Sequence, residues 1–190
     1  IRHTRSYKKK YDNDPMGSDG GYWVEEDFTY GEVTGITRWL ISVDPAVSTK
    51  TSSDFTGIAV LGYSPSSKRI LVEHVEQVRI TGSALRTHLL QMLTRFPQVQ
   101  RVLVETNQGG ETWRDILHSL PVDLDTVHQS IKKEVRAAQV LNDYQRGRVL
   151  HARRIPALEE QMVAFPHAPH DDMVDAVGAG ITYLLEPPRK

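Results

Sequence analysis

Three segments in the first half of the chain carry apolar residues at the spacing of β-strands. Arg38 to Asp44 is a short apolar run that ends on a carboxylate, and Phe55 to Tyr63 is a second run. Arg69 to Val78 alternates apolar with polar side chains, which is typical of a strand with one buried face. Residues 64–67, Ser-Pro-Ser-Ser, have the composition of a turn. Short loops between these segments predict an antiparallel meander.

The pattern changes to helical spacing after position 80. From Ser83 to Phe96 the large apolar residues fall on one helical face, and Pro97 follows. Arg101 to Glu105 is apolar between its charged ends, as expected of a central parallel strand. Beyond it, the spacing predicts one strand, Val122–Val127, and four helices: from Gly109-Gly110 to Leu117, Ile131–Arg146, Pro156–Val163 and Asp171–Leu185. This order predicts an α/β fold in which three antiparallel strands and then parallel strands form one mixed sheet, with helices on both faces.

Residues 1–35 show no clear periodicity and contain several glycines and an Asn-Asp-Pro turn. We therefore predict an N-terminal arm or linker over residues 1–35, containing at most one short strand. The predicted domain covers residues 36–190. The first residue is Ile1 rather than methionine, which leaves room for a neighbouring domain in a longer parent protein.

Charge is unevenly distributed, although the net charge is only −1. Residues 1–10 are basic, and residues 129–155 carry seven Lys or Arg against two acids. Residues 156–175 carry five acids and no Lys or Arg. A basic surface beside an acidic pocket suits a metal site that cleaves phosphodiesters, although charge runs are often simply solvated faces.

Two absences narrow the possible functions. The chain has no cysteine, which excludes disulfides and zinc–thiolate sites. No apolar run approaches the roughly 20 residues needed to cross a bilayer, so we expect no membrane partner.

The carboxylates at the ends of predicted elements are the candidate catalytic residues. Asp44 ends the first strand, Glu105 ends the fourth, and Asp171, Asp172 and Asp175 lie in the first turn of the last helix. If the two strands are neighbours, their carboxylates emerge at one edge of the sheet. One acid at a helix start can be a cap, but three within five residues repel one another. Oxygen ligands suit Mg²⁺ or Mn²⁺, and two such ions would activate water and stabilise the leaving oxygen of a phosphodiester.

Four stretches of the sequence resemble the ribonuclease H-like superfamily. More narrowly, they resemble the C-terminal nuclease domain of the large terminase subunit of tailed bacteriophages. The resemblance covers roughly residues 37 to 185, and its most specific block is Phe-Pro followed by His-Asp-Asp-x-x-Asp-Ala. The stretches are 43–46 with 53–60, 104–107, 132–136 with 147–149, and 165–166 with 170–176.

The resemblance implies a ribonuclease H-like sheet and specific roles for the acids. Asp44, Glu105 and Asp172 would be the core metal ligands, with Asp171 and Asp175 auxiliary or bridging. Asp54 has a weaker claim, because it is also an ordinary turn residue before a strand.

The same resemblance implies cleavage of concatemeric double-stranded DNA during phage genome packaging, in the host cell cytoplasm. The implied partners are an ATPase motor domain of the same parent chain, the portal and the small terminase subunit. This chain contains no Gly-x-x-x-x-Gly-Lys-Ser/Thr loop, so we expect no ATPase activity from it.

Basic residues around the predicted third helix, Ile131–Arg146, are candidate contacts to DNA phosphates. They are Lys132, Lys133, Arg136 and Arg148, and the alternative is an ordinary exposed basic helix. Two other functions remain open: a Holliday-junction resolvase on the same fold, and a non-catalytic DNA-binding module whose acids are vestigial.

Overall fold

A computed structural model describes residues 21–46, 55–80, 82–106 and 110–187. The described residues form a six-stranded sheet in the order β5-β4-β1-β2-β3-β6. The strands are β1 (Arg38–Asp44), β2 (Thr56–Ser64), β3 (Arg69–Val78), β4 (Arg101–Thr106), β5 (Asp123–His128) and β6 (Val149–His151). The helices are α1 (Ser83–Arg95), α2 (Gly110–Leu117), α3 (Lys133–Gln145), α4 (Pro156–Ala164) and α5 (Asp172–Leu185).

Strand directions confirm the predicted mixed sheet. β1, β2 and β3 pair antiparallel, whereas β4 pairs parallel with β1 and β5 pairs parallel with β4. β6 was not predicted; it pairs parallel with β3. Its three residues are all buried, and a run that short shows no periodicity that could separate a strand from a loop.

Helices cover both faces of the sheet, as predicted. On one face, Leu85 and Leu89 of α1 pack with Ile41 and Val104 of the sheet. On the other face α3, α4 and α5 form the larger apolar cluster. Helix α5 lies very close to the strands: a Cβ at Gly180 would stand 2.6 Å from Leu61 Cδ1. Among the described residues no helix is long and apolar enough to span a membrane.

The N-terminal boundary of the domain differs from the prediction. Trp23 is completely buried, and Tyr22 and Phe28 belong to the same apolar cluster as α3 and α5. A short 3₁₀ helix, Glu25–Asp27, lies between these aromatics. The segment from Tyr22 to Phe28, part of the predicted arm, therefore packs against the rest of the described chain. Polar and glycine-rich neighbours hid this segment, because its three aromatic anchors follow neither a helical nor a strand period.

Candidate active site at the carboxyl edge of the sheet

Two neighbouring strands end in carboxylates at one edge of the sheet. β1 and β4 run parallel, and Val43 pairs with Val104, so Asp44 and Glu105 follow on adjacent strands. Adjacent strands lie roughly 4.8 Å apart. The Glu105 side chain is buried, and Asp44 is half-buried.

The start of α5 lies directly over this pair. Gly57 of β2 is the register partner of Asp44. A Cβ at Gly57 would lie 2.1 Å from the backbone oxygen of Asp172, so only glycine permits this approach. This contact places the backbone of Asp172 against Gly57, and therefore beside Asp44, the register partner of Gly57.

The acids of α5 are not needed to cap the helix. Gln161 Oε1 accepts hydrogen bonds from the backbone N–H groups of Met173 and Val174, at 2.9 and 3.0 Å. Asp171 occupies the N-cap position without a side-chain capping bond. Capping therefore does not explain why aspartates cluster at this helix start.

Two cationic side chains of α3 contact these acids. Lys133 Nζ lies 2.5 Å from Asp171 Oδ2 and 2.6 Å from Asp175 Oδ2. Arg136 donates to Glu105 Oε1 at 3.2 Å. Lys133 and Arg136 are three positions apart, so they share one face of the helix.

Four carboxyls at this edge hold their protons more tightly than free carboxyls do. Burial raises the pKa of Asp44 well above its usual range, and the charges of Asp175 and Glu105 raise it further. Burial also raises the pKa of Asp175 to about 7, against the opposing effect of Lys133. The pKa values of Glu105 and Asp172 are raised as well, again chiefly by burial. Burial therefore disfavours the charged forms of these carboxyls, and the cations Arg136 and Lys133 offset only part of that effect.

The carboxylate oxygens that make no hydrogen bond at this edge suit a hard divalent cation as ligands. Glu105 Oε2 and Asp172 Oδ2 are buried and have no hydrogen-bond partner among the residues that the structure describes. Buried oxygens without partners are costly, and a divalent ion is the partner that carboxylates accept most readily. Within the described ranges, no three acid or histidine side chains are already closed around one cation position. The ligand types fit Mg²⁺ or Mn²⁺.

The predicted DNA-contact residues have diverse surroundings. Lys132 is exposed at the start of α3. Lys133 and Arg136 are held by carboxylates, and Arg148 Nη1 lies 3.4 Å from Asp143 Oδ1 beyond the far end of the helix. Phosphate contact by these residues stays a prediction. Asp54 and the polar loop 48–53 lie outside the described residues.

The sequence analysis missed one further basic residue, Arg79. Arg79 follows β3, and its guanidinium lies 4.6 Å from the centroid of the Phe55 ring. Phe55 in turn contacts His170 edge to face, with ring centroids 5.0 Å apart. Arg79 is exposed and has no carboxylate partner in the described part of the chain. Its position just beyond a predicted strand end was the available signal.

Comparisons with known proteins agree with this architecture. The sequence model of the Terminase RNaseH-like domain family matches residues 41–184. No curated protein matches the chain significantly.

Solved structures of viral nucleases share the fold. The human cytomegalovirus terminase nuclease domain, soaked with Mn and bound to an inhibitor, matches with a TM-score of 0.57 and 13% identity, over 86% of this chain and 95% of that one. The large terminase nuclease from the thermophilic phage G20c with bound cobalt gives a TM-score of 0.58 and 12% identity, over 82% and 90%. The fowlpox virus Holliday junction resolvase gives 0.50 and 14%, over 77% and 96%.

Proposed function

The chain belongs to the Terminase RNaseH-like domain family, and from that membership we propose that it is a metal-dependent endonuclease that cleaves double-stranded DNA. Asp44, Glu105, Asp172 and Asp175 are its proposed catalytic residues, and Asp171 is an additional proposed metal ligand. Mg²⁺ or Mn²⁺ is the proposed cofactor, with two ions during the reaction.

One observation supports this proposal most strongly. Asp44 and Glu105 end adjacent parallel strands, and Gly57 admits Asp172 against the same row. Two of the resulting carboxylate oxygens, Glu105 Oε2 and Asp172 Oδ2, are buried without partners in the described part of the chain. A fold that needed these acids only for stability would satisfy them with donors.

The proposed reaction is the hydrolysis of a phosphodiester. Water attacks the phosphorus, the bond from phosphorus to the leaving 3′ oxygen breaks, and a proton from the water ends on that oxygen. Bound divalent ions would supply a lower pKa for the water and charge stabilisation for the leaving oxygen. The strand ends hold Asp44 and Glu105 in fixed positions, and Gln161 holds the start of α5 so that Asp172 keeps its position.

The direct test is cleavage of supercoiled plasmid in Mn²⁺ or Mg²⁺. We expect Asp44→Ala and Asp172→Ala to abolish cleavage. The matched control is Asp123→Asn, because Asp123 is an exposed acid at the amino end of β5, on the opposite edge of the sheet. Cleavage that survives in both alanine variants would remove the proposed site.

Membership of the family also supports a proposal for the biological role. We propose that the chain cuts concatemeric phage DNA during genome packaging in the host cell cytoplasm, as the nuclease part of a large terminase. Its partners would then be an ATPase motor domain, the portal and the small subunit. A co-purification of the parent protein with portal particles tests this role separately from the chemistry.

The likeness to the fowlpox virus resolvase supports a second candidate function, the cleavage of Holliday junctions. A resolvase would prefer four-way junctions over duplex DNA and would form a stable dimer. Competition between a junction and a duplex of equal length separates the two: we expect no junction preference. The third alternative, a DNA-binding module without catalysis, predicts binding without metal-dependent cutting.

A further inference from the structure

The carboxylates at this edge fall into two groups according to what neutralises them. Asp171 and Asp175 share the ammonium group of Lys133. Glu105 Oε2 and Asp172 Oδ2 have no partner among the described residues. Asp44 makes no hydrogen bond or ion pair with a described residue either, so it belongs with this second group. One group is thus open to an added cation, and the other already has one.

We propose that Lys133 controls the second metal position: its ammonium group occupies the place of a cation between Asp171 and Asp175, so the first ion binds at Asp44, Glu105 and Asp172, and the second binds only when Lys133 withdraws. This inference rests on the proposed metal-dependent function and adds an order of binding to it. Lys133 acts here as a positioning residue, because it acts through its contacts with the proposed ligands Asp171 and Asp175.

The geometry of Lys133 makes it suitable for this exchange. Its Nζ lies about as close to both carboxylate oxygens as an ammonium ion can come. A lysine is a compact point charge on a flexible stem, so it can occupy a cation position and can also leave it. About a third of its side chain is exposed, which gives the ammonium group a route to solvent. The same two oxygens cannot bind the lysine and coordinate a divalent ion at full strength.

Arg136 does not perform the same task. Its guanidinium contacts one oxygen of Glu105 and leaves the other oxygen without a partner. Glu105 can therefore coordinate an ion through Oε2 while Arg136 stays in place. The two cations of α3 thus differ: Lys133 lies between oxygens of two aspartates, where a cation shared by them would bind, whereas Arg136 contacts a single acid.

The test is the binding of Mn²⁺ measured by calorimetry without DNA. We expect the wild-type chain to bind one ion and to bind a second at least about tenfold more weakly. Lys133→Gln should tighten the second binding step about tenfold or more and leave the first within about threefold. Lys132→Gln is the matched control, because Lys132 is the exposed neighbour of Lys133 and the substitution removes the same charge. This variant should reproduce the wild-type isotherm.

A second measurement guards against an unfolded variant. Lys133→Arg keeps a cation at this position and should keep the second ion weak. Electron paramagnetic resonance detects a pair of close Mn²⁺ ions through their magnetic coupling, and we expect this coupling in Lys133→Gln at metal concentrations where the wild-type chain lacks it.

The outcomes separate this proposal from the proposed function. A second ion that stays equally weak in Lys133→Gln, or that binds the wild-type chain as tightly as the first, overturns the role of Lys133. Failure of the wild-type chain to bind even one ion contradicts the metal-dependent function itself.

Discussion

Two buried glutamates of the same domain have opposite surroundings. Glu105 and Glu159 are 8% and 7% exposed. Glu159 accepts hydrogen bonds from the hydroxyl group of Tyr30 and from the backbone N–H of Ile155, and it pairs with His151 Nδ1 at 3.1 Å. Within the described ranges, Glu105 pairs with Arg136 through one oxygen, and its other oxygen has no partner.

The pKa values of the two glutamates differ in the direction that their hydrogen-bond partners predict. Burial alone would raise the pKa of Glu159, but the hydrogen bond from Tyr30, together with those from Ile155 and His151, outweighs it and lowers the pKa. The pKa of Glu105 is raised, because burial outweighs Arg136. A buried carboxylate whose partners are complete stabilises the fold. A buried carboxylate that lacks some of its partners lowers the stability of the fold. A role in a functional site explains why the protein retains it despite that cost.

The largest expected effect is on cleavage. Glu105→Gln should reduce the rate of plasmid cleavage by about a thousandfold or more, because an amide is a poor ligand for a divalent ion. Glu159→Gln should keep the rate per folded molecule within about threefold. Single-turnover cleavage, normalised to the folded fraction, measures both. Equal losses in the two variants would show that the comparison does not separate function from stability.

The second expected effect is on the free energy of unfolding, and it has the reverse order. Glu159→Gln should lose about 2–3 kcal/mol, because His151 and Tyr30 lose a charged acceptor in a buried network. Glu105→Gln in metal-free buffer should stay within about 1 kcal/mol of the wild-type chain or exceed it, because a strained charge disappears. Urea unfolding gives both values. A large loss in Glu105→Gln would mean that this acid is structural.

The third effect is on the pH dependence of stability. The pKa of Asp175 rises from 3.8 to about 7 on folding, so the folded state binds its proton more tightly than the unfolded state does. Its contribution to stability is therefore present at about pH 4 and is lost as the pH rises towards 7. Glu159 has the opposite sign, since its lowered pKa gives stability that is lost in acid.

The corresponding experiment compares Asp175→Asn with the wild-type chain in metal-free urea unfolding. The variant should be equal to the wild type near pH 4 and more stable by on the order of 2 kcal/mol near pH 8. Added Mn²⁺ should reverse the order at pH 8. A stability difference that stays constant across pH would contradict the raised pKa.

The smallest effect concerns two exposed arginines, one with and one without a described carboxylate partner. Arg79, near the acidic edge, has no described carboxylate partner, whereas Arg153, beyond β6, donates to Glu73 Oε1 at 2.9 Å. Arg79→Gln should weaken duplex binding about threefold to tenfold and reduce its salt dependence. Arg153→Gln should change it less than twofold. Fluorescence anisotropy at several salt concentrations measures both, and equal effects would remove Arg79 as a phosphate contact.

The sequence predicted the acids better than it predicted their partners. Asp44 and Glu105 were visible because each ends an apolar strand, and strand ends of parallel neighbours meet at one edge. Lys133 was predicted to contact DNA phosphates, because a lysine at a helix start carries no signal of what it faces. Its pairing with Asp171 and Asp175 depends on how α3 packs against α5, and periodicity does not specify that packing.

The fold shows the same division. β1 and β3 have their predicted bounds, because long apolar patterns define strands well. The buried positions of Trp23 and His151 could not be predicted, because each contacts residues distant in sequence: Trp23 packs on Phe165, and His151 on Phe28. Local patterns identify elements, whereas tertiary contacts decide which isolated aromatic or polar residue becomes part of the core.

Diffraction from crystals grown in Mn²⁺ tests the central claim most directly. The account predicts an anomalous peak within about 2.0–2.3 Å of oxygens from Asp44, Glu105 and Asp172. A second peak beside Asp175 should appear at higher concentration, with Lys133 displaced. Crystals that hold Mn²⁺ elsewhere, while these three acids bind none at saturating metal, would contradict it.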